Sequence, residues 1–212
     1  QVFIADRFAI CVLDATRGDA VRKIVLPPNG VPAATMVLDE RTGRLFVDTY
    51  GGPPSCKPPQ ASFMTIDART GRVLHTELYG ATAELVDERA GRVLAFRQGD
   101  CYSMASPTTL VVDARSGSVV KSPSPKLGVP IAVDESTGFV YFVHEDPPRA
   151  TTLNVAEPSK WRTVRSVRLP PSHVLGVSIV GGRSRRIFVA SRFSGPDNST
   201  TEKLTVLCAD AR

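Results

Sequence analysis

Five residues, Asp6, Thr49, Arg97, His144 and Ser191, close similar apolar runs along the chain. Arg and His bring donors and positive charge, Asp brings an acceptor, and the two hydroxyls do either, so such a set suits a small polar or anionic ligand. His144, Glu145 and Asp146 stand in a row, and His173 follows. These residue types can ligate a mononuclear metal, but their spacing does not require one, and two isolated histidines beside an acidic stretch describe them better. There is no Cys-x-x-Cys and no zinc-knuckle spacing among the four cysteines. No catalytic residue, metal site or cofactor is assigned from the sequence.

Charge narrows the partners. The net charge is +5, which invites a nucleic-acid reading. Most arginines, however, sit in turns beside Asp or Glu, as in Asp39-Glu40-Arg41. That is local pairing at solvated hairpin ends, not a stripe of one sign. No nucleic-acid partner is expected. No run approaches 18 apolar residues, so no transmembrane segment is expected in this chain. Gln1-Val2-Phe3-Ile4-Ala5 already reads as the middle of a strand, with no signal peptide before it, which suggests an excised or processed piece.

The elements that position these residues are set by two interleaved phrases. Asp39-Glu40-Arg41-Thr42-Gly43, Asp87-Glu88-Arg89-Ala90-Gly91 and Asp134-Glu135-Ser136-Thr137-Gly138 begin 48 and then 47 residues apart. Between them come Asp14-Ala15-Thr16-Arg17-Gly18, Asp67-Ala68-Arg69-Thr70-Gly71, Asp113-Ala114-Arg115-Ser116-Gly117 and Asp210-Ala211-Arg212. A period in the forties, built from short apolar runs and turns, points to a radial array of small sheets. Each full period holds four strand-like runs, here called a to d: Ala34–Leu38, Arg44–Thr49, Ser62–Asp67 and Val73–Leu78 in the second. The units span about 1–32, 33–81, 82–129, 130–175 and 176–212, as one domain. The first lacks its a strand and the fifth stops before a d strand. Asp accepts backbone N–H bonds, and Gly four residues on takes the positive φ that closes each a–b and c–d hairpin. The b–c and d–a connections then lie at the opposite end, and they are longer and richer in Pro and Gly.

Arg41–Val47 with Ile66–Val73, and Asp134–Phe142, resemble the YVTN/NHL-type β-propeller repeats, and the resemblance covers nearly the whole chain. Two units depart from it: Ala156-Glu157-Pro158-Ser159 replaces the fourth c–d turn, and Gly181-Gly182-Arg183-Ser184 the fifth a–b turn. The resemblance implies an all-β propeller, commonly seven-bladed in that family; this chain has material for about five blades of mostly four antiparallel strands, either closed as such or part of a larger ring. If the array closes, Asp6, Thr49, Arg97, His144 and Ser191 ring the central opening on the long-loop side, where the family often has Asn. Cys56 and Cys101 fall in b–c connections of neighbouring units, where a disulfide would staple two loops; two free thiols are the alternative. Cys11 and Cys208 lie inside c strands and are expected to pack as small apolar residues. Asn198-Ser199-Thr200 has the pattern of a glycosylation sequon.

The function expected is a non-enzymatic ligand- or protein-binding or sensing module of a secreted or cell-surface bacterial protein, extracytoplasmic, with its partner on the b–c and d–a side. The alternative is a propeller hydrolase or oxidoreductase with a metal or quinone near the axis.

Overall fold

The computed structural model of the chain describes residues 1–6, 9–26, 33–49, 62–77, 81–97, 108–146, 150–169, 173–180, 185–194 and 200–209. Among these residues, eighteen strands form five sheets, each an antiparallel meander in chain order. Two compact units contain them: Gln1–Ser122 holds the first three sheets and Pro123–Arg212 the last two.

In the first unit, β1 (Val2–Asp6), β2 (Ala9–Leu13) and β3 (Ala20–Val25) make a three-stranded sheet. The second sheet holds β4 (Ala33–Asp39), β5 (Arg44–Thr49), β6 (Ser62–Asp67) and β7 (Val73–Glu77). The third holds β8 (Ala81–Asp87), β9 (Arg92–Arg97), β10 (Thr108–Asp113) and a short β11 (Val119–Lys121). Side chains alternate across a strand, so the apolar run Leu45-Phe46-Val47 serves both faces of its sheet. Leu45 and Val47 pack with Ile10, Val12 and Ile24 of the first sheet. Phe46 packs with Phe63, Val93, Ala95, Leu110 and Val112 towards the third, its ring 6.0 Å from that of Phe63. A strand buried on both faces reads as a continuous apolar run, and this one does.

The second unit holds β12 (Val129–Asp134), β13 (Phe139–Asp146), β14 (Ala150–Glu157) and β15 (Arg162–Leu169) in one sheet. β16 (His173–Val180), β17 (Arg185–Ser194) and β18 (Thr200–Ala209) form the other. Tyr141, Val143, Leu153 and Val155 pack with Ile187 and Val189 between them. The one short helical element among the described residues is a 3-10 turn, Pro125–Leu127. Buried Asn154 holds it, donating from Nδ2 to the Leu127 carbonyl (3.2 Å) and accepting at Oδ1 from Ser166 Oγ (2.7 Å).

The hairpins form as their sequence requires. Asp14 Oδ1 accepts from the backbone N–H of Thr16 and Arg17 at 2.8 and 2.9 Å, and Asp67 and Asp113 repeat the pattern. The turn glycines Gly18, Gly43, Gly71, Gly91, Gly117 and Gly138 all have φ between 63° and 78°. The fourth sheet makes the same c–d turn without the motif. Trp161 takes the glycine's place at φ 51°, and its N–H donates to the Glu157 carbonyl at 2.7 Å. Its indole is buried edge-on against Phe142, with ring centroids 6.3 Å apart and planes at 78°. Packing holds a left-handed conformation that a bulky residue otherwise avoids.

Candidate ligand-binding end of the sheets

The two ends of each sheet differ in how their polar groups are used. At the hairpin end they are consumed locally. Asp39, Asp87 and Asp134 are buried and cap their own turns, and Asp87 also pairs with Arg92. The Ala68 N–H donates to the Gly43 carbonyl and the Ala114 N–H to the Gly91 carbonyl, tying the two turns of one sheet together at 2.9 Å. The Glu40 N–H donates to Glu88 Oε1 (3.0 Å), and the Arg22 guanidinium donates to the carbonyls of Ala68 and Arg69. Turn-to-turn bonds thus repeat both within and between sheets of the first unit.

At the other end stand the five residues singled out from the sequence. Pairing with the c strand gives four of them one register place: Asp6 opposite Ala9, Thr49 opposite Ser62, Arg97 opposite Thr108 and His144 opposite Thr152. Each partner lies five residues before the turn residue Asp14, Asp67, Asp113 or Glu157. Ser191 departs from this. It pairs with Lys203, seven residues before Asp210, so Val189, opposite Thr205, holds the equivalent place. Strand ends differ too. β1, β5 and β9 finish at Asp6, Thr49 and Arg97, whereas β13 runs on to Asp146 and β17 to Ser194. Asp6 is exposed, Arg97 and His144 are half-buried, and Ser191 is buried with its hydroxyl donating to the Lys203 carbonyl at 3.5 Å.

Sequence reading missed a pair of carboxylates at this end of the first unit. Asp48 is buried one residue before the register place, and its Oδ1 accepts from the Thr35 N–H (2.6 Å) and hydroxyl (3.1 Å). Glu84 sits at the bulge of β8, where register shifts between Ala83 and Leu85. Burial, and then the neighbouring Asp48 charge, push the Glu84 carboxyl up to about 7. A carboxyl poised there exchanges its proton near neutral pH and accepts or donates according to its state. A signal for it was present. Asp48 stands where β9 and β13 carry Phe96 and Val143, and Glu84 where the bulge of β12 carries Ile131.

In the second unit, Glu145 Oε1 accepts from the Val174 N–H at 3.4 Å, so this acidic residue ties β13 to the start of β16. Among the described residues, no group of three or more His, Cys, Asp or Glu side chains is placed to hold a metal ion. Cys11 is a half-buried free thiol paired in register with Ile4. Cys56, Cys101, Asn198 and Ser199 lie outside the described residues, as do the side chains of Thr49, Asp146, His173 and Cys208.

No family model and no curated protein matches the chain. Solved structures do match. The chain is similar to Kuenenia stuttgartiensis hydrazine synthase, with TM-score 0.68 and 10% identity over 98% of this chain and 59% of that one. The β-propeller domain of the Trilobed protease from Pyrococcus furiosus gives 0.51 and 10%, over 85% of this chain and 56% of that one. A quinohemoprotein alcohol dehydrogenase from Pseudomonas putida gives 0.54 and 13%, over 86% and 45%. The chain therefore spans about half the length of the structures it matches. At such identities the likeness concerns fold and not chemistry, and with the meander sheets described above it makes the architecture that of a β-propeller.

Proposed function

We propose that this chain is a non-enzymatic binding or sensing module that takes a small polar ligand or a protein segment at the end of its sheets opposite the hairpins. One observation carries the reading: the polar groups at the two ends are used differently. Hairpin groups are repeated from sheet to sheet and joined to one another, so they distinguish no partner. The opposite end brings unlike groups, with Asp48, Glu84 and Arg97 in the first unit and His144 and Glu145 in the second, on rigid strands flanked by long connections. Specific recognition uses unlike groups held on a rigid scaffold. The resemblance to YVTN/NHL-type repeats supports the same reading, and we extend the proposal to an extracytoplasmic bacterial protein with a Cys56–Cys101 bridge.

The test is a thermal-shift screen of small carboxylates, phosphates and amines against the chain and against Arg97→Ala and His144→Ala. The reading expects at least one compound whose shift is reduced by one of these variants while its melting midpoint without compound is retained. A compound that stabilises all three proteins equally would count against it.

A further inference from the structure

In the three sheets that have a fourth strand, that outer strand differs in length. β7 has five residues and β11 three, whereas β15 has eight. A short outer strand offers a neighbour little to pair with, and a long one offers a row of backbone N–H and C=O groups. β15 pairs with β14 on one side, and among the described residues no strand lies on its other side. Arg162 to Ser166 and Arg168 are exposed, Val164 at 46%, while Val167 and Leu169 pack into the core of the unit.

This edge carries charge of one sign. From Ala150 to Leu169 the chain has four basic residues, Lys160, Arg162, Arg165 and Arg168, and one acidic residue, Glu157. Glu157 stands at the hairpin end, its Oε2 4.0 Å from Lys160 Nζ and from Arg162 Nε. Arg165 and Arg168 lie further along, opposite Val155 and Thr152. Side chains alternate along a strand, so these two arginines fall on opposite faces of the edge, and a strand added there meets a guanidinium on each of its faces. Opposite charges across a strand pair stabilise it, and like charges directly opposite destabilise it. Pairing of β15 with a second copy of itself would bring arginines to both sides of the seam. An acidic strand would find a partner for each.

We propose that the outer edge of β15 takes an extended acidic segment of a partner protein as a fifth strand of its sheet. Backbone bonds along the open edge supply the affinity, and acidic residues three apart in the segment, meeting Arg165 and Arg168, supply the selectivity. This contact does not depend on the ligand role proposed above.

Fluorescence anisotropy of the chain with a labelled, end-blocked peptide of valine and threonine, carrying two glutamates three residues apart, measures the contact. Saturable binding is expected, with hydrogen-exchange protection in β15. A peptide N-methylated along its backbone keeps the charge but loses the donors, and it is expected not to bind. Arg165→Glu combined with Arg168→Glu is expected to weaken binding about tenfold, and a peptide with lysines in place of the glutamates is expected to recover it on that variant. Circular dichroism checks that the variant is folded; where it is not, Arg168→Glu alone is read against the same peptides. Absence of saturable binding, equal binding of the N-methylated peptide, unaltered affinity in the variant, no recovery by the lysine peptide, or protection that falls outside β15 would each overturn the proposal.

Discussion

Glu84 gives the account its sharpest expectation for a single residue. Its carboxyl binds a proton more tightly in the folded chain, near 7, than at its ordinary value of 4.5. A raised carboxyl contributes stability that is full below about 4.5, declines as pH rises towards about 7 and is gone above it. The melting midpoint should fall across that window, and Glu84→Gln should flatten the fall and raise the midpoint at pH 8. Identical pH profiles for the two proteins would contradict this. The turn aspartates act in a separate window. Backbone bonds from Arg17, Thr70 and Ser116 respectively hold Asp14, Asp67 and Asp113 below the ordinary 3.8, so their contribution is lost only at more acid pH. The turn glycines offer a second, comparative expectation. A Cβ on Gly117 would overlap Thr65 Oγ1, whereas one on Gly18 meets nothing within 4 Å. Both share the positive φ, which costs an added side chain about 1–2 kcal/mol. Gly117→Ala adds overpacking of about 1–3 kcal/mol. Urea titration should therefore rank Gly117→Ala clearly below Gly18→Ala, and equal losses would mean that the Thr65 contact yields freely.

The strands and their turns were legible in the sequence because two signals agreed: apolar runs with a strand's length, and an Asp followed four residues later by a Gly. Even the three-stranded first and last sheets could be read, since no run was left to supply a fourth strand. Legibility failed where one signal was replaced by packing. Glu157 to Trp161 has neither the Asp nor the Gly, and its turn survives because the indole is buried against Phe142. Trp161→Gly relieves about 1–2 kcal/mol of backbone strain but gives up a buried aromatic whose loss costs about 3–5 kcal/mol. The net expectation is a loss of roughly 2 kcal/mol in a denaturant titration, and a stabilised variant would show that backbone strain outweighs the packing. The fifth sheet misled for another reason. Counting by sequence put Ser191 in the shared column, but β17 and β18 are ten residues each and pair two residues out of step. The Asp48–Glu84 pair was missed because it joins two strands far apart in sequence, and single carboxylates inside apolar runs announce no partner.

At the scale of the molecule, the repeats make one end of the sheets uniform and self-satisfied and leave the other varied. The proposed binding role rests on that division. A Cys56–Cys101 bridge would reinforce the varied end by joining two neighbouring connections, and closing a loop of that length adds about 3–4 kcal/mol. Intact mass of oxidised protein should rise by two hydrogen atoms on reduction, and alkylation of both thiols without reductant would dispose of the bridge. The central claim itself is tested most directly by hydrogen exchange on the chain with and without a compound found in the thermal-shift screen. Protection is expected in the strand ends near Asp48, Glu84 and Arg97 or near His144 and Glu145, with exchange at the hairpins unchanged. Protection confined to Arg41–Arg44 and Arg69–Arg72 would place the ligand on the hairpin end and contradict the account.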